Sequence, residues 1–302
     1  MIRALRARVS TQQLGGVLHA TFRVATGPFR HIAAILGLIL LVSACSTQSV
    51  MQTAVAPLPS EKYAAIVIDA STGSVLYDRN SQDPRYPASL TKMMTLYMLF
   101  EAIDEGRIGM SDAIPVSNYA ARRPPSKIGF KPGQSIPVQT AILALCVKSA
   151  NDVATAVAEH LGGSEERFAQ MMTSKAQQLG MRSTVFRNAS GLPDDGQRTT
   201  ARDMAVLASA LRARFPHHYH YFQNREFAYA GKTIRGHNDL LNRPGVDGLK
   251  TGYIRASGFN VATSAARGGK RVIAVVMGGD TATSRNRHVE ELLDTYLPRA
   301  GS

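Results

Sequence analysis

Segments patterned as β-strands lie at both ends of this chain, and helix-like segments lie between them. Residues 63–80 (YAAIVIDASTGSVLYDRN) hold two apolar runs around the turn residues Ser71–Thr72–Gly73, which predicts a β-hairpin. After Gly245, the stretches VDGLKTGY, GFNVATSAARGG and KRVIAVVMGG predict three more strands. Because an isolated hairpin is marginal in water, the two ends must share one sheet. We therefore expect an α+β fold, in which a mostly antiparallel five-stranded sheet from the N- and C-terminal segments carries a helical lobe.

The middle of the chain has helical periodicity and helix-capping residues. Helices are predicted from Pro87 onward, across residues 138–162 with a break near Ser149–Asn151, and over residues 164–181, 199–215 and 285–297. Hydrophobic residues make up 44% of the 302 residues, which is enough for a substantial core.

Residues 1–45 are predicted to be an export signal. They contain five arginines and no acidic residue, and the apolar run 32–42 precedes the small residues Ser43 and Ala44. This run is shorter than the roughly 20 apolar residues of a membrane-spanning helix. We therefore expect an exported protein in the periplasm or another extracytoplasmic location.

The end of this segment resembles the lipobox of bacterial lipoproteins, because residues 42–45 read VSAC. Lipidation of Cys45 would attach the protein to a membrane through its N-terminus. Cleavage at residues 54–56 and retention as an uncleaved anchor stay open as alternatives. Residues 46–60 are small, polar and proline-containing, which predicts a flexible tether before a single domain over residues 61–298.

Charge and cysteine content argue against a nucleic-acid-binding protein, a disulfide-rich protein and a protein with cysteine metal ligands. The formal net charge is +13, but lysine and arginine are scattered, so no nucleic-acid partner is predicted. The two cysteines, Cys45 and Cys146, form no disulfide framework and show no metal-ligand spacing. Cys146 stands in an apolar segment and is predicted to be a buried, inert thiol.

A histidine-rich stretch, FPHHYHYF at residues 215–222, includes His217, His218 and His220. No acidic residue lies near it in the sequence, and its spacing matches no familiar metal motif. It is predicted to be a plain surface cluster, and no metal or other cofactor is expected.

Three short motifs carry the chemistry. Ser89–Leu90–Thr91–Lys92 opens a helix, Ser149–Ala150–Asn151 lies at a helix break, and Lys250–Thr251–Gly252 lies on a strand. Each alone is explained by a helix cap or a turn, and S-x-N also occurs at Ser284. Together and in this order they match the signature of penicillin-interacting serine enzymes.

The Ser89–Lys92 spacing fits a nucleophile with its base. A serine hydroxyl is a weak nucleophile unless a neighbouring group takes its proton, and residues i and i+3 share a helix face. Lys92 acts as a base only when neutral, which burial and a second cation such as Lys250 would favour.

Residues 60–297 resemble the D-alanyl-D-alanine carboxypeptidase family, the low-molecular-mass penicillin-binding proteins. The resemblance includes SANDVATAVAEHLGGSEERFAQMM, LGMRSTVFRNASGLP, TTARDMAVLASAL and PGVDGLKTGYIRASGFNVATSAARGGKRVIAVVMGG. It implies a β-lactamase/transpeptidase-like fold and removal of the terminal D-alanine from peptidoglycan stem peptides. It also implies covalent inhibition by β-lactams, and DD-endopeptidase action on cross-links is an open alternative.

The family's roles in acyl transfer map onto the first two motifs. Ser89 would be the acylated nucleophile, Lys92 its base, and Ser149 a proton relay to the leaving D-alanine. The backbone N–H groups of Ser89 and Tyr253 would form the oxyanion hole.

The family's substrate-binding roles map onto the remaining residues. Asn151 would hold the substrate amide, and Lys250 would support the electrostatics. Thr251, next to Gly252 in the same motif, would bond the terminal carboxylate. Arg285 would anchor that carboxylate, since arginine recognises carboxylates well; Arg255 and Arg287 are nearby alternatives.

A class A β-lactamase is the less favoured enzyme, because Ala150 replaces the aspartate of S-D-N and no E-x-x-L-N pattern lies between Asn151 and Lys250. A non-catalytic wall-binding protein would have no need for the Ser89–Lys92 pair. The sequence ends about 20 residues after its last predicted strand, so no C-terminal β-rich domain is expected.

Overall fold

The computed structural model describes residues 55–301, and the chain from Val55 onward forms one compact unit. The predicted export signal, the candidate lipidation site Cys45 and residues 46–54 of the tether lie outside the described residues. Within residues 55–301, no helix is both long enough and apolar enough to span a bilayer.

The described part of the chain contains nine strands and seven α-helices. The strands are β1 (Ala64–Asp69), β2 (Val75–Arg79), β3 (Ala113–Pro115), β4 (Ser135–Pro137), β5 (Glu226–Tyr229), β6 (Lys232–Arg235), β7 (Val246–Ile254), β8 (Gly258–Arg267) and β9 (Lys270–Gly279). The helices are α1 (Lys92–Asp104), α2 (Asn118–Ala121), α3 (Val138–Leu143), α4 (Asn151–Gly162), α5 (Glu165–Gln178), α6 (Ala201–Arg214) and α7 (Ala282–Tyr296).

The central sheet joins the two ends of the chain, in the order β2–β1–β9–β8–β7. Every pairing in it is antiparallel, and β9 lies between β1 and β8 and pairs with both. The predicted five-stranded sheet and its two terminal contributions are therefore confirmed.

Both faces of this sheet are buried, which follows from the alternation of side chains along each strand. The paired residues Ile66 and Val275 belong to the core shared with the helical lobe. Their neighbours Val67 and Ala274 face the opposite side, where they join a second core with helix α7. Full burial of each such aliphatic side chain contributes about 1.5–3 kcal/mol, so the sheet is held from both sides.

The β1–β2 turn is fixed by the last residue of β1. Asp69 Oδ1 accepts hydrogen bonds from the Ser71 hydroxyl at 2.6 Å, the Ser71 amide at 2.8 Å and the Thr72 amide at 3.2 Å. The bond from the Ser71 hydroxyl is the main reason that the pKa of Asp69 falls to about 2. Gly73 completes the turn with a φ of 74°, as the predicted turn residues require.

The predicted helices all form, but their boundaries depend on caps that periodicity alone does not reveal. Helix α7 begins three residues before the predicted start at Arg285, because Thr281 and Ser284 form a capping box. The two-stranded ribbons β3–β4 and β5–β6 and the short helix α2 are not predicted, since three- and four-residue segments show no clear periodicity.

Candidate active site

Ser89 lies in a strained turn at the entrance to helix α1. The segment Ala88–Thr91 is a 3₁₀ turn, and the fully buried Ala88 adopts a left-handed conformation with φ of 48°. That conformation costs a residue with a Cβ atom roughly 1–2 kcal/mol, and such strain is concentrated at functional sites. Gly191 lies so close that a Cβ atom there would be 1.8 Å from the Ala88 carbonyl oxygen.

Lys92, the first residue of α1, points its amine at three uncharged oxygen atoms. Its Nζ lies 3.0 Å from Ser89 Oγ, 2.8 Å from Asn151 Oδ1 and 2.5 Å from the Ser190 carbonyl oxygen. The Lys92 side chain is fully buried. The predicted Ser–Lys pair is therefore in hydrogen-bond contact, and Asn151 of the second motif joins it.

The surroundings of Lys92 favour its neutral form. Burial is the largest cause that holds the pKa of Lys92 well below its ordinary value, and the positive charge of Lys250 acts in the same direction. Glu165 and Asp152 oppose the shift. Neither carboxylate is hydrogen-bonded to the amine, so burial decides the direction.

The third acceptor of Lys92 lies on a loop that is not among the predicted site residues. Glu165 Oε1 accepts hydrogen bonds from Thr155 Oγ1 at 3.0 Å and from the Ala189 amide at 3.1 Å. The Ala189 carbonyl in turn accepts a bond from Thr95 at 2.7 Å. These bonds fix the Ser190 carbonyl against Lys92. The turn sequence NASG at residues 188–191 is the one sequence signal of this loop.

Ser149 and Asn151 lie at the predicted helix break. A π-helical turn, Ala144–Lys148, ends at Ser149, whose φ is 58°, and α4 begins at Asn151. Asn151 Nδ2 donates to the Pro124 carbonyl at 2.9 Å, which turns Oδ1 toward Lys92. The buried Ser149 hydroxyl has no hydrogen-bond partner among the described residues.

The third motif brings strand β7 against the turn of the nucleophile. A Cβ atom on Gly252 would lie 2.9 Å from the Ser89 amide nitrogen, so glycine permits this close approach. Lys250 is 2% exposed and donates to the Thr251 carbonyl at 2.9 Å. Burial, with a smaller effect of Arg285, lowers the pKa of Lys250 to about 8.

Arg285, in the first turn of α7, is buried and firmly held. Its Nη1 donates to the Asn260 carbonyl at 2.6 Å, and its Nε and Nη2 donate to Asn286 Oδ1 at 3.0 and 2.8 Å. Burial lowers the pKa of Arg285 to about 10, so the guanidinium remains charged at neutral pH. The alternatives Arg255 and Arg287 are exposed.

A cleft of about 620 Å³ unites the predicted substrate-contacting residues. Its lining includes Ser89, Ser149, Asn151, Thr251, Gly252, Tyr253 and Arg285. Lys92 and Lys250 are buried and are not among the residues that line it in the described chain. Tyr253 is 53% exposed and lies against Phe259, with ring centroids 4.3 Å apart, which gives one side of the cleft an aromatic surface.

Cys146 is a free, partly buried thiol. Burial raises the pKa of this thiol to about 12. A protonated thiol is a poor nucleophile at neutral pH, and the inert role of Cys146 stays a prediction.

Comparison with known proteins decides the family. The family model described as D-alanyl-D-alanine carboxypeptidase, peptidase family S11, matches residues 51–281. The chain belongs to this family. The resemblance predicted from the three motifs is thereby confirmed, as is the assignment to the low-molecular-mass penicillin-binding proteins.

Individual carboxypeptidase relatives agree with this assignment. The chain is 35% identical to D-alanyl-D-alanine carboxypeptidase DacF of Bacillus subtilis, over 86% of this chain and 68% of the relative. Its fold is similar to the crystal structure of the carboxypeptidase DacD from Francisella tularensis, with a TM-score of 0.79, 28% identity, and coverage of 85% and 74% of the two chains.

A third relative was solved with an antibiotic. Penicillin-binding protein D2 of Listeria monocytogenes, in its ampicillin-bound form, is 32% identical, with a TM-score of 0.67 and coverage of 77% of this chain and 95% of that one. The chain spans between 60% and 68% of the length of the first four curated carboxypeptidases that it matches.

Proposed function

We propose that this chain is a serine-type D-Ala-D-Ala carboxypeptidase that removes the terminal D-alanine from peptidoglycan stem pentapeptides through an acyl-enzyme on Ser89. The observation that carries this proposal is the 3.0 Å contact between Lys92 Nζ and Ser89 Oγ, in surroundings that hold the pKa of Lys92 low. A neutral amine at that distance can take the hydroxyl proton.

In the acylation step, Ser89 Oγ attacks the carbonyl carbon of the penultimate D-alanine while Lys92 accepts the hydroxyl proton. The amide groups of Ser89 and Tyr253 stabilise the oxyanion. The proton that Lys92 accepted then passes through the hydroxyl of Ser149, which lies in the cleft without another described partner, to the D-alanine amine as the C–N bond breaks. A water molecule then hydrolyses the Ser89 ester.

Recognition of the terminal carboxylate requires fixed positive charge. Arg285 supplies it from the cleft lining, and the buried Lys250 supplies it from the position before Thr251 on β7. The hydrogen bonds that hold Arg285 to Asn260 and Asn286 keep the guanidinium in place before substrate arrives. Thr251 donates a further hydrogen bond to the carboxylate, and Asn151 binds the substrate amide.

β-Lactams are proposed to acylate the same serine. The ampicillin-bound form of the Listeria relative supports this proposal. A β-lactamase is less well supported, because Glu165, whose charge acts on Lys92, is bound to Thr155 and the Ala189 amide rather than lining the cleft. It therefore offers no base for a deacylating water.

The test combines a fluorescent penicillin with two peptidoglycan substrates. Wild-type protein should carry the label on Ser89 and release D-alanine from a pentapeptide, and Ser89→Ala should do neither. Ser183→Ala, which changes an exposed serine outside the cleft lining, should behave as wild type. Label on another residue, or release only from a cross-linked dimer, would contradict the carboxypeptidase assignment; the second outcome would favour an endopeptidase.

We also propose that the protein is exported and attached to a membrane through a lipid on Cys45. Residues 42–45 and the apolar run before them support this location. In cells, Cys45→Ala should move the protein from the membrane fraction to the periplasmic fraction. Membrane attachment that persists in Cys45→Ala would instead indicate an uncleaved anchor.

A further inference from the structure

Three side chains that are suited to metal binding converge outside the catalytic cleft. Asp104 Oδ1 lies 2.9 Å from His217 Nε2 and 2.9 Å from His218 Nε2. Within residues 55–301, these form the single group of three or more His, Cys, Asp or Glu residues whose ligand atoms lie within 4.8 Å of one another. Separation in sequence hid this group, because Asp104 precedes His217 by 113 residues.

The predicted plain surface cluster holds for the exposed His217 and His220 but is wrong for His218. The fold supplies an acidic partner, and His218 is buried rather than exposed, at 8%. The ring of His218 stacks on Phe100 at 4.8 Å with an interplanar angle of 16°, which fixes its orientation. His217 keeps a side-chain exposure of 57%, so the group can be reached from solvent.

The position of Asp104 on its helix suits a cation. Asp104 is the last residue of α1, and the C-terminal end of a helix attracts positive charge.

We propose that Asp104, His217 and His218 bind one divalent transition-metal ion of the zinc type, through Oδ1 and the two Nε2 atoms. Two imidazoles and a carboxylate form a ligand set that Zn²⁺ accepts, with water in the fourth position. Tetrahedral ligands about 2.0–2.1 Å from zinc lie about 3.3 Å apart. Asp104 Oδ1 would therefore need to move away from each Nε2 atom by only about 0.4 Å, from the present 2.9 Å.

Such an ion would connect two parts of the catalytic framework. Asp104 ends the helix that begins with Lys92. His217 and His218 directly precede the 3₁₀ turn Tyr219–Gln223, which packs against β7, the strand of Lys250. Bound metal would hold these elements together, and a ligand that binds only the folded state raises its stability.

The test titrates ZnCl₂ into full-length protein freed of metal with a chelator, by calorimetry and thermal unfolding. Wild-type protein should bind one Zn²⁺, and its Tm should rise by about 5–10 °C at a concentration about 100 times the Kd. Asp104→Asn and His217→Ala should each weaken binding at least about tenfold. His220→Ala is the matched control. It removes a histidine of the same segment, whose Nδ1 contacts the His217 carbonyl but which lies outside the group of three ligands.

Fluorescent-penicillin labelling of every variant verifies that it is folded. Absence of saturable Zn²⁺ binding to wild type, or unchanged binding in Asp104→Asn, would overturn the proposal. Equal loss in His220→Ala and His217→Ala would overturn the ligand assignment, and equal binding of Mg²⁺ would overturn the metal class. None of the three ligands lines the cleft, so these outcomes leave the carboxypeptidase proposal unaffected.

Discussion

The two ends of helix α1 differ in whether their charged side chains have partners of opposite charge. At its start, the buried Lys92 contacts three neutral oxygen atoms and, among residues 55–301, no carboxylate. In its last turn, the buried Glu101 pairs with Lys175 at 2.8 Å and Arg214 at 3.0 Å, and Asp104 meets two histidines. A buried lysine without a counter-charge costs stability, whereas paired groups at the other end offset one another's burial.

This difference shows that the free-energy cost of a buried lysine without a counter-charge is accepted at the catalytic end of the helix. A carboxylate hydrogen-bonded to Lys92 would stabilise the ammonium form and prevent proton transfer from Ser89. Glu165 is near enough to act on the pKa of Lys92, yet its Oε1 is bonded to Thr155 and the Ala189 amide. Glu165 thus positions the loop at Ser190 without forming the hydrogen bond that would stabilise the ammonium form of Lys92.

The largest effect should come from removing the base. Lys92→Met is expected to lower the rate of penicillin acylation by about 10³-fold, within the range for loss of a positioned general base. Lys175→Met, which removes the α5 lysine that pairs with Glu101 in the last turn of α1, should keep the rate within about twofold. Stopped-flow acylation measures both. An equal loss in the two variants would show that the ends of the helix do not differ as described.

Arg285→Ala should have the next largest effect. Loss of a charge-assisted hydrogen bond costs about 1.5–3 kcal/mol, so kcat/KM for a pentapeptide should fall about 10–100-fold. The variant should also lose the preference for a free C-terminal carboxylate over its amide. Arg287→Ala, an exposed neighbour, should retain both. An intact carboxylate preference in Arg285→Ala would move the anchor to another arginine.

Lys250 should limit activity on the alkaline side. Its pKa is about 8, so the positive charge beside the substrate carboxylate is lost as the pH rises through that value. Acylation should therefore fall about tenfold per pH unit well above pH 8. Lys250→Arg keeps its charge at these pH values and should lack this fall. An unchanged alkaline limb in Lys250→Arg would exclude Lys250 as its source.

The smallest effect on catalysis is expected at the paired end. Glu101→Gln should reduce the free energy of unfolding by about 1–2 kcal/mol, because Lys175 and Arg214 lose a buried partner but can still reach water. Acylation should stay within about twofold of wild type. Urea unfolding and penicillin labelling measure the two quantities, and a large loss of labelling without unfolding would contradict the separation of the two ends.

The sequence predicted those features that depend on local pattern or on distinctive motifs. The hairpin at Ser71–Gly73, the five-stranded sheet and the cleft contacts of Ser89 and Asn151 follow from strand alternation and from motif order. Contacts between residues distant in sequence were not predicted. The acceptor role of Ser190 and the meeting of Asp104 with the histidines depend on tertiary packing, which no local periodicity records.

The central claim is that the pKa of Lys92 lies well below its ordinary value in the free enzyme. NMR titration of protein with isotope-labelled lysine side chains, assigned through Lys92→Met, measures it directly. We predict that Lys92 titrates well below the ordinary lysine pKa of about 10.4, and that Lys250→Met raises the pKa of Lys92, because the charge of Lys250 lowers it. A Lys92 amine that titrates near 10.4 would contradict the account.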